Sequence, residues 1–318
     1  MDLTVAIPTY NGAARLPLIL ERLRSQNNSE SIAWEIIIVD NNSTDDTAAV
    51  VQQYQANWPD SYPLKYYFEA EQGAAFARQR AIREAQGDLV GFLDDDNLPT
   101  LQWLSAAYEF AQTHPQAGAY GGQIHGEYEV DPPANFEQIQ AFLAIRQRGP
   151  EPNLYEPERI SLPPAASLVV RRQAWLQHVP ARPTLSGKVR GCMVQGDDYE
   201  PLLHLYKAGW EIWYNPAMQT YHQIPHWRLE KPYLTKLARG CGLATCQLRL
   251  INTADDQKLW IMTRTFLGNS RRVVLHLLKY RQQVKTDLIA ACELEFFLGS
   301  LMSPFYYLRR QAIERLPS

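Results

Sequence analysis

Three consecutive aspartates, Asp94 to Asp96, directly follow the apolar run Leu89 to Leu93. Carboxylates placed this close raise one another's pKa unless a cation or hydrogen-bond donors neutralise them. A hard divalent ion such as Mg²⁺ or Mn²⁺ prefers oxygen ligands, and a Mg²⁺ site often joins one or two carboxylates to substrate phosphates. The pattern therefore predicts a Mg²⁺ or Mn²⁺ site that binds a phosphorylated substrate. The alternative is a solvated acidic loop.

Two further clusters of polar residues follow apolar runs earlier in the chain. Pro8, Thr9, Tyr10 and Asn11 come after the first run, and residues 40–43 come after the second. In a parallel sheet the carboxyl ends of the strands share one edge, and ligands bind beyond that edge. We therefore expect both clusters to meet the three aspartates there.

The first hundred residues alternate short apolar runs with amphipathic segments, which is typical of βαβ units and a mostly parallel sheet. The predicted strands are Leu3–Ile7, Glu35–Val39, Leu64–Glu69 and Leu89–Leu93. The predicted helices are Ala13–Gln26, Thr44–Tyr54 and Ala74–Ala85. This order places each of the three candidate clusters in the loop that follows a predicted strand.

The rest of the chain has a weakly patterned middle and a helical end. Residues 123–164, rich in Pro, Glu and Arg, are predicted to form a substrate-facing insertion or a long connection. Ser167–Val170 is strand-like, and Arg172–Gln177 is helical. From Trp227 onward the pattern is helical and amphipathic with interleaved basic residues. It suits an acceptor lid, a dimer interface or a membrane-surface contact, besides ordinary core packing.

Composition narrows the class of protein. The 318 residues are 46% hydrophobic and 20% charged, as in ordinary globular proteins. The net charge of −3 argues against a general nucleic-acid-binding protein, which usually carries a basic surplus. Cys192, Cys241, Cys246 and Cys292 have no CxxC spacing, so we expect free thiols rather than a zinc site or disulfides.

No targeting or membrane-spanning segment is expected. Residues 1–5 lead directly into a strand and lack the basic and apolar regions of a secretory signal. A membrane span needs roughly 18 uninterrupted apolar residues. Glu293, Glu295 and Pro304 interrupt the nearest candidate, Leu288 to Tyr307. We therefore expect a cytoplasmic protein, with peripheral contact at the inner face of a membrane left open.

Four motifs resemble the inverting glycosyltransferases of family 2, which have the GT-A fold. The motifs are VAIPTYN (Val5 to Asn11), EIIIVDNNSTDDT (Glu35 to Thr47), GAAFARQRAIREAQGDLVGFLDDDN (Gly73 to Asn97) and GDDYEPLLHLYKAGWEIWYNPAMQTYH (Gly196 to His222). They cover roughly residues 3–222. The resemblance implies an α/β GT-A domain, Rossmann-like with flanking helices, over residues 1–225. It leaves a helical C-terminal extension over residues 226–318.

The resemblance also implies roles for residues after the first two strands. In the family, the first loop and the aspartate after the second strand hold the nucleotide base. The nucleotide-sugar-binding residues implied here are Pro8, Thr9, Tyr10, Asn11, Asp40 and Asn42. A simple helix N-cap within residues 40–46 is an alternative that can coexist with this role.

Further roles follow for the phosphate and metal ends of the donor. Arg78 stands where the family usually has an arginine that steers nucleotide-sugar phosphates, which suits a guanidinium group. The resemblance assigns Asp95 to the ribose and Asp96 to the metal, with Asp94 a further nucleotide-sugar-binding candidate. His222 ends the last motif and is expected near the metal or the diphosphate. A core or surface histidine is the alternative.

The catalytic candidates are Asp197 and Asp198, where the family more often has Glu-Asp. An inverting transfer needs one general base to take the proton of the acceptor hydroxyl. The family's second acidic residue has that role, which implies Asp198. An acidic helix N-terminus favoured by the helix dipole is the alternative.

The function implied is transfer of a sugar from a nucleotide-diphosphate sugar to an acceptor hydroxyl, in polysaccharide or glycolipid biosynthesis. A UDP-sugar is the first expectation for the donor, with GDP and dTDP donors open, and the acceptor is a saccharide or is lipid-linked. The alternatives are a non-catalytic nucleotide-sugar-binding protein on the same fold and, less favoured, a nucleotidyltransferase. A P-loop NTPase is excluded because the sequence has no GxxxxGK[ST] motif.

Overall fold

The computed structural model describes residues 1–189 and 193–314, so Cys192 lies outside the described residues. The chain divides into two compact units. Unit 1 comprises residues 1–127, 144–186 and 197–224, and unit 2 comprises residues 128–143, 187–196 and 225 onward. Unit 2 thus takes two internal segments besides the C-terminal region. The functional division at residue 225 stays a prediction.

Four parallel strands form the first half of the sheet in unit 1. They are β1 (Leu3–Thr9), β2 (Trp34–Asp40), β3 (Leu64–Phe68) and β4 (Leu89–Leu93). Their spatial order is β3-β2-β1-β4, and all neighbouring pairs are parallel. Every residue of β2 is buried, which explains its continuous apolar run.

Helices α1 (Leu16–Arg24), α2 (Thr47–Gln55) and α3 (Ala74–Glu84) alternate with these strands, as predicted. The first two helices begin three residues later than the sequence pattern suggests. The preceding backbone instead bonds to loop side chains: Ala13 N donates to Asp45 (3.1 Å) and Thr44 N donates to Asn11 Oδ1 (2.8 Å). Asn and Asp side chains compete with helix formation in this way.

Five more strands complete the sheet within the described residues. They are β5 (Asn97–Pro99), β6 (Ala117–Tyr128), β7 (Asn153–Leu154), β8 (Ser167–Arg171) and β9 (Glu211–Ile224). The order continues β4-β8-β6-β9-β5, with β7 also paired to β9. Because β8 is antiparallel to β4, and β5 and β7 are antiparallel to β9, the sheet is mixed. The parallel pairs described above lie in the first half. The remaining helices of unit 1 are α4 (Trp103–Thr113), α5 (Arg172–His178) and α6 (Tyr199–Lys207).

The weakly patterned middle region is partly sheet, because β6 extends to Tyr128. The glycines of β6 obscure its strand pattern, and close neighbours require them. A Cβ at Gly118 would lie 2.5 Å from a Trp210 atom, and one at Gly121 would lie 2.2 Å from a Pro163 atom. Glycine in a strand often marks such an approach.

Unit 2 contains three long helices: α7 (Lys231–Ile251), α8 (Lys258–Tyr280) and α9 (Leu288–Glu314). The α7 and α9 backbones touch where Gly242 and Gly299 cross. A Cβ at Gly242 would lie 2.3 Å from Phe296 O, and a Cβ at Gly299 would lie 2.3 Å from Arg239 O. At the same crossing, Cys246 N donates to Ser303 Oγ (3.2 Å).

The α9 helix runs without a break through Glu293, Glu295 and Pro304, which interrupt the apolar run but not the helix. Proline leaves the carbonyl four residues earlier without its usual donor. Ser303 Oγ donates to that carbonyl, Ser300 O, at 2.7 Å. Residues 288–312 are long and apolar enough to cross a membrane, and the protein itself buries 44% of the apolar window. The cysteines within the described range, Cys241, Cys246 and Cys292, are free thiols, as predicted.

Candidate active site

The loops after β1 and β2 are bonded to each other. Asn11 N donates to Ser43 Oγ (2.9 Å), and Thr44 N donates back to Asn11 Oδ1 (2.8 Å). Asn11 and Asn42 have positive φ angles of 49° and 64°, which asparagine tolerates better than most residues. The two predicted polar clusters therefore form one surface, and these two asparagines shape its backbone. Tyr10 lies on it with 47% of its surface exposed.

Asp40 is buried at the end of β2, and both of its carboxylate oxygens accept hydrogen bonds. Ser43 N donates to Oδ1 (2.9 Å), and Tyr66 Oη donates to Oδ2 (2.7 Å). Burial and the bond to Asp40 raise the pKa of Tyr66 well above its usual range. Sequence reasoning missed Tyr66. The available signal was an aromatic residue on the strand next to Asp40.

Asp95 is held by two residues of the β1 loop region. Arg15 donates from Nε to Oδ1 (2.8 Å) and from a terminal nitrogen to Oδ2 (2.9 Å), and Thr9 Oγ1 also donates to Oδ2 (2.5 Å). Burial raises the pKa of Asp95, and the bonds from Arg15 and Thr9 oppose that rise. Gly12 permits this packing, since a Cβ there would lie 2.0 Å from Thr9 Oγ1. Arg15 was missed because its partner lies 80 residues away.

Asp96 and His222 meet through the pairing of β5 with β9. Asn97 is opposite His222 in that antiparallel pair, which brings His222 Nε2 within 3.5 Å of Asp96 Oδ2. The other oxygen, Asp96 Oδ1, accepts a bond from Asn97 Nδ2 (2.9 Å). The two residues predicted as metal ligands are therefore adjacent.

Arg78, on α3, is buried and forms an ion pair with Asp197. The charges of Asp198 and Asp94 also act on its guanidinium. The arginine predicted to steer phosphates is thus engaged by the carboxylate next to the predicted base. This ion pair joins the α3 side of the site to the start of α6.

Asp198 occupies the N-cap position of α6, but its side chain makes no capping hydrogen bond. Burial, followed by the charge of Asp197, raises the pKa of Asp198 to about 7, and Arg78 opposes the rise. A carboxyl group with such a pKa can exchange a proton near neutral pH. The sequence pattern gave no indication of Arg146, which donates to the Tyr199 hydroxyl (2.8 Å) and acts electrostatically on Asp198.

The site has an excess of negative charge. Its acidic groups are Asp94, Asp95, Asp96, Asp197 and Asp198, and the charges of three arginines, Arg15, Arg78 and Arg146, act on them. Burial and the charge of Asp96 raise the pKa of Asp94 to about 6, which reflects this crowding. A divalent cation would relieve it, so the donor set fits Mg²⁺ or Mn²⁺.

The protein offers such an ion few ligands. No cluster of three or more His, Cys, Asp or Glu side chains arranged to hold a metal occurs among the described residues. Asp96 and His222 are a pair. A site of this kind is completed by substrate phosphate oxygens and water rather than by the protein alone.

Comparison with known proteins identifies a family for most of unit 1. The sequence model of Glycosyl transferase family 2 matches residues 4–174. Glycosyltransferase AglE of Haloferax volcanii is 34% identical over 102 residues, which are 32% of this chain and 32% of that protein. The GalNAc(5)-diNAcBac-PP-undecaprenol beta-1,3-glucosyltransferase of Campylobacter jejuni is 36% identical over 97 residues, which are 30% of this chain and 29% of that protein. The matches span 26% to 45% of the length of these and similar relatives.

Two solved structures resemble the whole chain. The mannosyltransferase PcManGT from Pyrobaculum calidifontis, in complex with GDP-Man and Mn²⁺, has a TM-score of 0.59 at 17% identity, covering 96% of this chain and 87% of that one. TarS 1-349 of S. aureus, in complex with UDP-GlcNAc, has a TM-score of 0.53 at 14% identity, covering 97% and 92%. These likenesses confirm the predicted GT-A fold.

Proposed function

This chain belongs to glycosyltransferase family 2, and we propose that it transfers a sugar from a nucleotide-diphosphate sugar to an acceptor hydroxyl with inversion at the anomeric carbon. One observation carries the proposal. The carboxyl group of Asp198 has a pKa of about 7. Asp198 and Asp94, the first residue after β4, both interact electrostatically with the buried Arg78. A base and a phosphate-and-metal site are the two parts that such a reaction needs.

In this proposal the joined loops after β1 and β2 bind the nucleoside. Asp40 accepts a hydrogen bond from the base, since each of its oxygens has room for a second donor. Tyr66 holds that carboxylate in place through its 2.7 Å bond. The remaining nucleotide-sugar-binding residues of these loops are Pro8, Thr9, Tyr10, Asn11 and Asn42.

The acidic end of β4 binds the ribose and the diphosphate. Asp95 is the proposed ribose ligand, already oriented by Arg15 and Thr9. Asp96 and His222 would hold Mg²⁺ or Mn²⁺, which would stabilise the charge of the departing diphosphate. Asp94 adds negative charge beside this pair, and Arg78 balances it.

Asp198 is the proposed general base. Its carboxylate takes the proton as the acceptor oxygen bonds to the anomeric carbon, and the bond from that carbon to the diphosphate oxygen breaks. The nucleoside diphosphate leaves with the electron pair of that bond. Asp197, the second catalytic candidate, keeps Arg78 next to the base through their ion pair. The base therefore works beside a fixed cation.

Relatives support the class of donor and acceptor. The two solved structures contain GDP-Man and UDP-GlcNAc, and the name of the C. jejuni enzyme includes a PP-undecaprenol-linked acceptor. We propose a nucleotide-sugar donor, with a UDP-sugar first, and a saccharide or lipid-linked acceptor in polysaccharide or glycolipid biosynthesis. A cytoplasmic location is part of the proposal, and the free thiols at Cys241, Cys246 and Cys292 suit a reducing compartment.

Calorimetry with UDP, GDP and dTDP tests the donor site, each titrated with Mn²⁺ and again with EDTA. We expect one nucleotide to bind with Mn²⁺ and to lose at least about tenfold in affinity with EDTA or in Asp96→Ala, because the cation bridges protein and phosphate. The exposed Asp60→Ala is the matched control and should bind as the wild type does. A nucleotide affinity that is the same with Mn²⁺ and with EDTA would contradict the metal assignment.

Donor turnover tests the base. Asp198→Asn should retain nucleotide binding and lose transfer and donor hydrolysis, since the amide cannot accept the proton. If no nucleotide binds and no donor is consumed by the wild type, the transferase proposal fails. If nucleotides bind and Asp198→Asn changes no turnover, a non-catalytic binding protein becomes the better description.

A further inference from the structure

The α8 helix is amphipathic, but its buried side is polar and its exposed side is apolar, which is the opposite of the usual arrangement. Thr265, Asn269 and His276 are at most 6% exposed. Thr265 Oγ1 accepts a bond from Arg249 of α7 (3.2 Å), and His276 Nε2 lies 2.8 Å from Ala290 O of α9. The polar stripe of α8 therefore faces the other helices of unit 2.

The opposite side of α8 is apolar and exposed. Trp260, Leu267 and Val274 follow at seven-residue intervals, and Leu278 lies one turn further, so they form a single stripe. We call the whole set the α8 apolar face; its members are exposed by 75% at Leu259, 58% at Trp260, 60% at Leu267, 55% at Val274, 52% at Leu275 and 66% at Leu278. Large apolar side chains grouped on one exposed side of a helix are typical of an interaction site.

All charged side chains from the start of α8 to residue 285 are basic. Residues 258–285 include seven Lys or Arg and no Asp or Glu, in a chain whose net charge is −3. Arg264 and Arg271 lie within the exposed stripe, and Arg272 and Lys279 flank it. The stems of such side chains can lie along apolar surface while their charged ends reach polar groups.

The α9 helix extends this surface. The ring of Phe305 contacts that of Phe266 on α8, with centroids 5.6 Å apart. Met302, Phe305 and Leu308 are each about half exposed. The apolar face is therefore shared by two packed helices and is not a single isolated stripe.

We propose that the α8 apolar face binds the surface of a bilayer containing anionic lipids. A helix with Trp and Leu on one side and Lys or Arg around them is suited to the membrane interface, where the rings and aliphatic groups enter the acyl boundary and the cations meet lipid phosphates. A second copy of this chain fits less well. Two α8 segments brought face to face would juxtapose arginines with no acidic residue from either segment to pair with them.

This proposal goes beyond glycosyl transfer and does not depend on it, because vesicle binding needs no nucleotide. The experiment is flotation of the full chain with phosphatidylcholine vesicles, with and without phosphatidylglycerol. We expect binding only when phosphatidylglycerol is present, and weaker binding as salt is raised. Light scattering of the free protein reports its oligomeric state in parallel.

Two triple variants separate the apolar and the charged contributions. Trp260→Ser with Leu267→Ser and Leu278→Ser should weaken vesicle binding at least about tenfold. The reason is that burying even one such apolar side chain favours the bound state by about a factor of ten. Arg264→Gln with Arg271→Gln and Arg272→Gln should weaken it on the order of 100-fold at low salt. Thermal unfolding midpoints check that both variants fold.

Matched controls lie on unit 1. Leu18→Ser with Leu154→Ser and Leu176→Ser removes three leucines of similar exposure and should leave vesicle binding unchanged. The proposal is overturned if the wild type does not bind vesicles that contain phosphatidylglycerol. It is equally overturned if the triple leucine control and the Trp260, Leu267 and Leu278 variant lose vesicle binding to the same extent. It is also overturned if the apolar variant converts a dimer to a monomer without affecting vesicles, since the occupant is then a second copy.

Discussion

Arg78 and Asp197 form an ion pair in which only 5% and 9% of the two side chains are exposed. The partners are 119 residues apart in the sequence. The same guanidinium acts on Asp94 and Asp198, so one cation serves carboxylates from both the β4 end and the α6 start. Removing it leaves three acidic groups without their shared counter-charge.

Arg78→Gln is therefore expected to lower the free energy of unfolding by about 3–5 kcal/mol, the usual loss when one partner of a buried ion pair is removed. Urea denaturation measures this change. Arg83→Gln is the control, because Arg83 is exposed and lies 3.5 Å from Glu69, and it should change the free energy by less than about 1 kcal/mol. Equal effects of the two substitutions would contradict a special role for the pair.

The pH dependence of transfer should report Asp198. Since burial raises its pKa to about 7 and the base acts as the carboxylate, kcat/KM should rise with pH up to about 7 and level off above it. Arg78→Gln should move the midpoint to higher pH, because Arg78 lowers the pKa of Asp198. A rate profile that is flat between pH 5 and 8 would contradict this assignment.

The contribution of Asp198 to stability should depend on pH in the opposite way to that of a salt-bridged carboxylate. The folded protein holds the Asp198 proton up to a pKa of about 7, whereas the ordinary pKa of an aspartate, expected in the unfolded chain, is 3.8. The folded state thus binds more protons between these values, and the wild type loses stability as pH rises through them. Asp198→Asn avoids this loss, so its melting temperature should exceed that of the wild type at pH 8 and match it near pH 4. A lower melting temperature at pH 8 would be the contrary result.

Arg15→Gln should weaken donor binding, because Asp95 loses two of the three side-chain bonds that orient it. Arg15 is 42% exposed, so solvent screens the interaction and we expect about a fivefold rise in the Kd of the nucleotide. Calorimetry with Mn²⁺ measures this change. Arg22→Gln, an exposed residue of α1, should leave the Kd unchanged. A Kd in Arg15→Gln equal to that of the wild type would remove Arg15 from the donor site.

Gly12→Ala should destabilise the protein by about 2 kcal/mol or more, since the new methyl group would lie 2.0 Å from Thr9 Oγ1 and 2.8 Å from Asp95 Oδ2. Gly268→Ala is a contrasting control in the α8 interior, where nothing lies within 4 Å of the added Cβ. It should stabilise the helix by about 0.5–1 kcal/mol. Chemical denaturation distinguishes the two signs, and a stabilising Gly12→Ala would contradict the close packing of this loop.

The sequence was sufficient to predict the parallel half of the sheet, because β2 and β4 are continuous apolar runs followed by acidic or amide side chains. The same alternation brought Asp40 and Asp94 to the edge where ligands bind. It gave no access to Arg15, Tyr66 or Arg146. Each of these acts on a residue 26 to 80 positions away, through a loop path or a strand register that local patterns do not encode.

The adjacency of Asp96 and His222 shows what a motif can and cannot supply. The resemblance put both near a metal, but their contact depends on the antiparallel pairing of β5 with β9, and the local sequence pattern predicts neither strand. β5 has only three residues, which is too short for any periodic pattern. Its position is fixed by its partner strand rather than by its own sequence.

The glycine crossing of α7 and α9 also constrains the order of events during synthesis. The hydrogen bond from Cys246 N to Ser303 Oγ cannot form until Ser303 has been synthesised, 57 residues later, so the two backbones cannot pack together before then. At ~5–20 residues per second that delay is several seconds. Throughout it, the buried side of α7, including Leu237 and Ala244, has no α9 to pack against. Unit 2 is therefore completed late, and the buried side of α7 stays without this partner until α9 has been made.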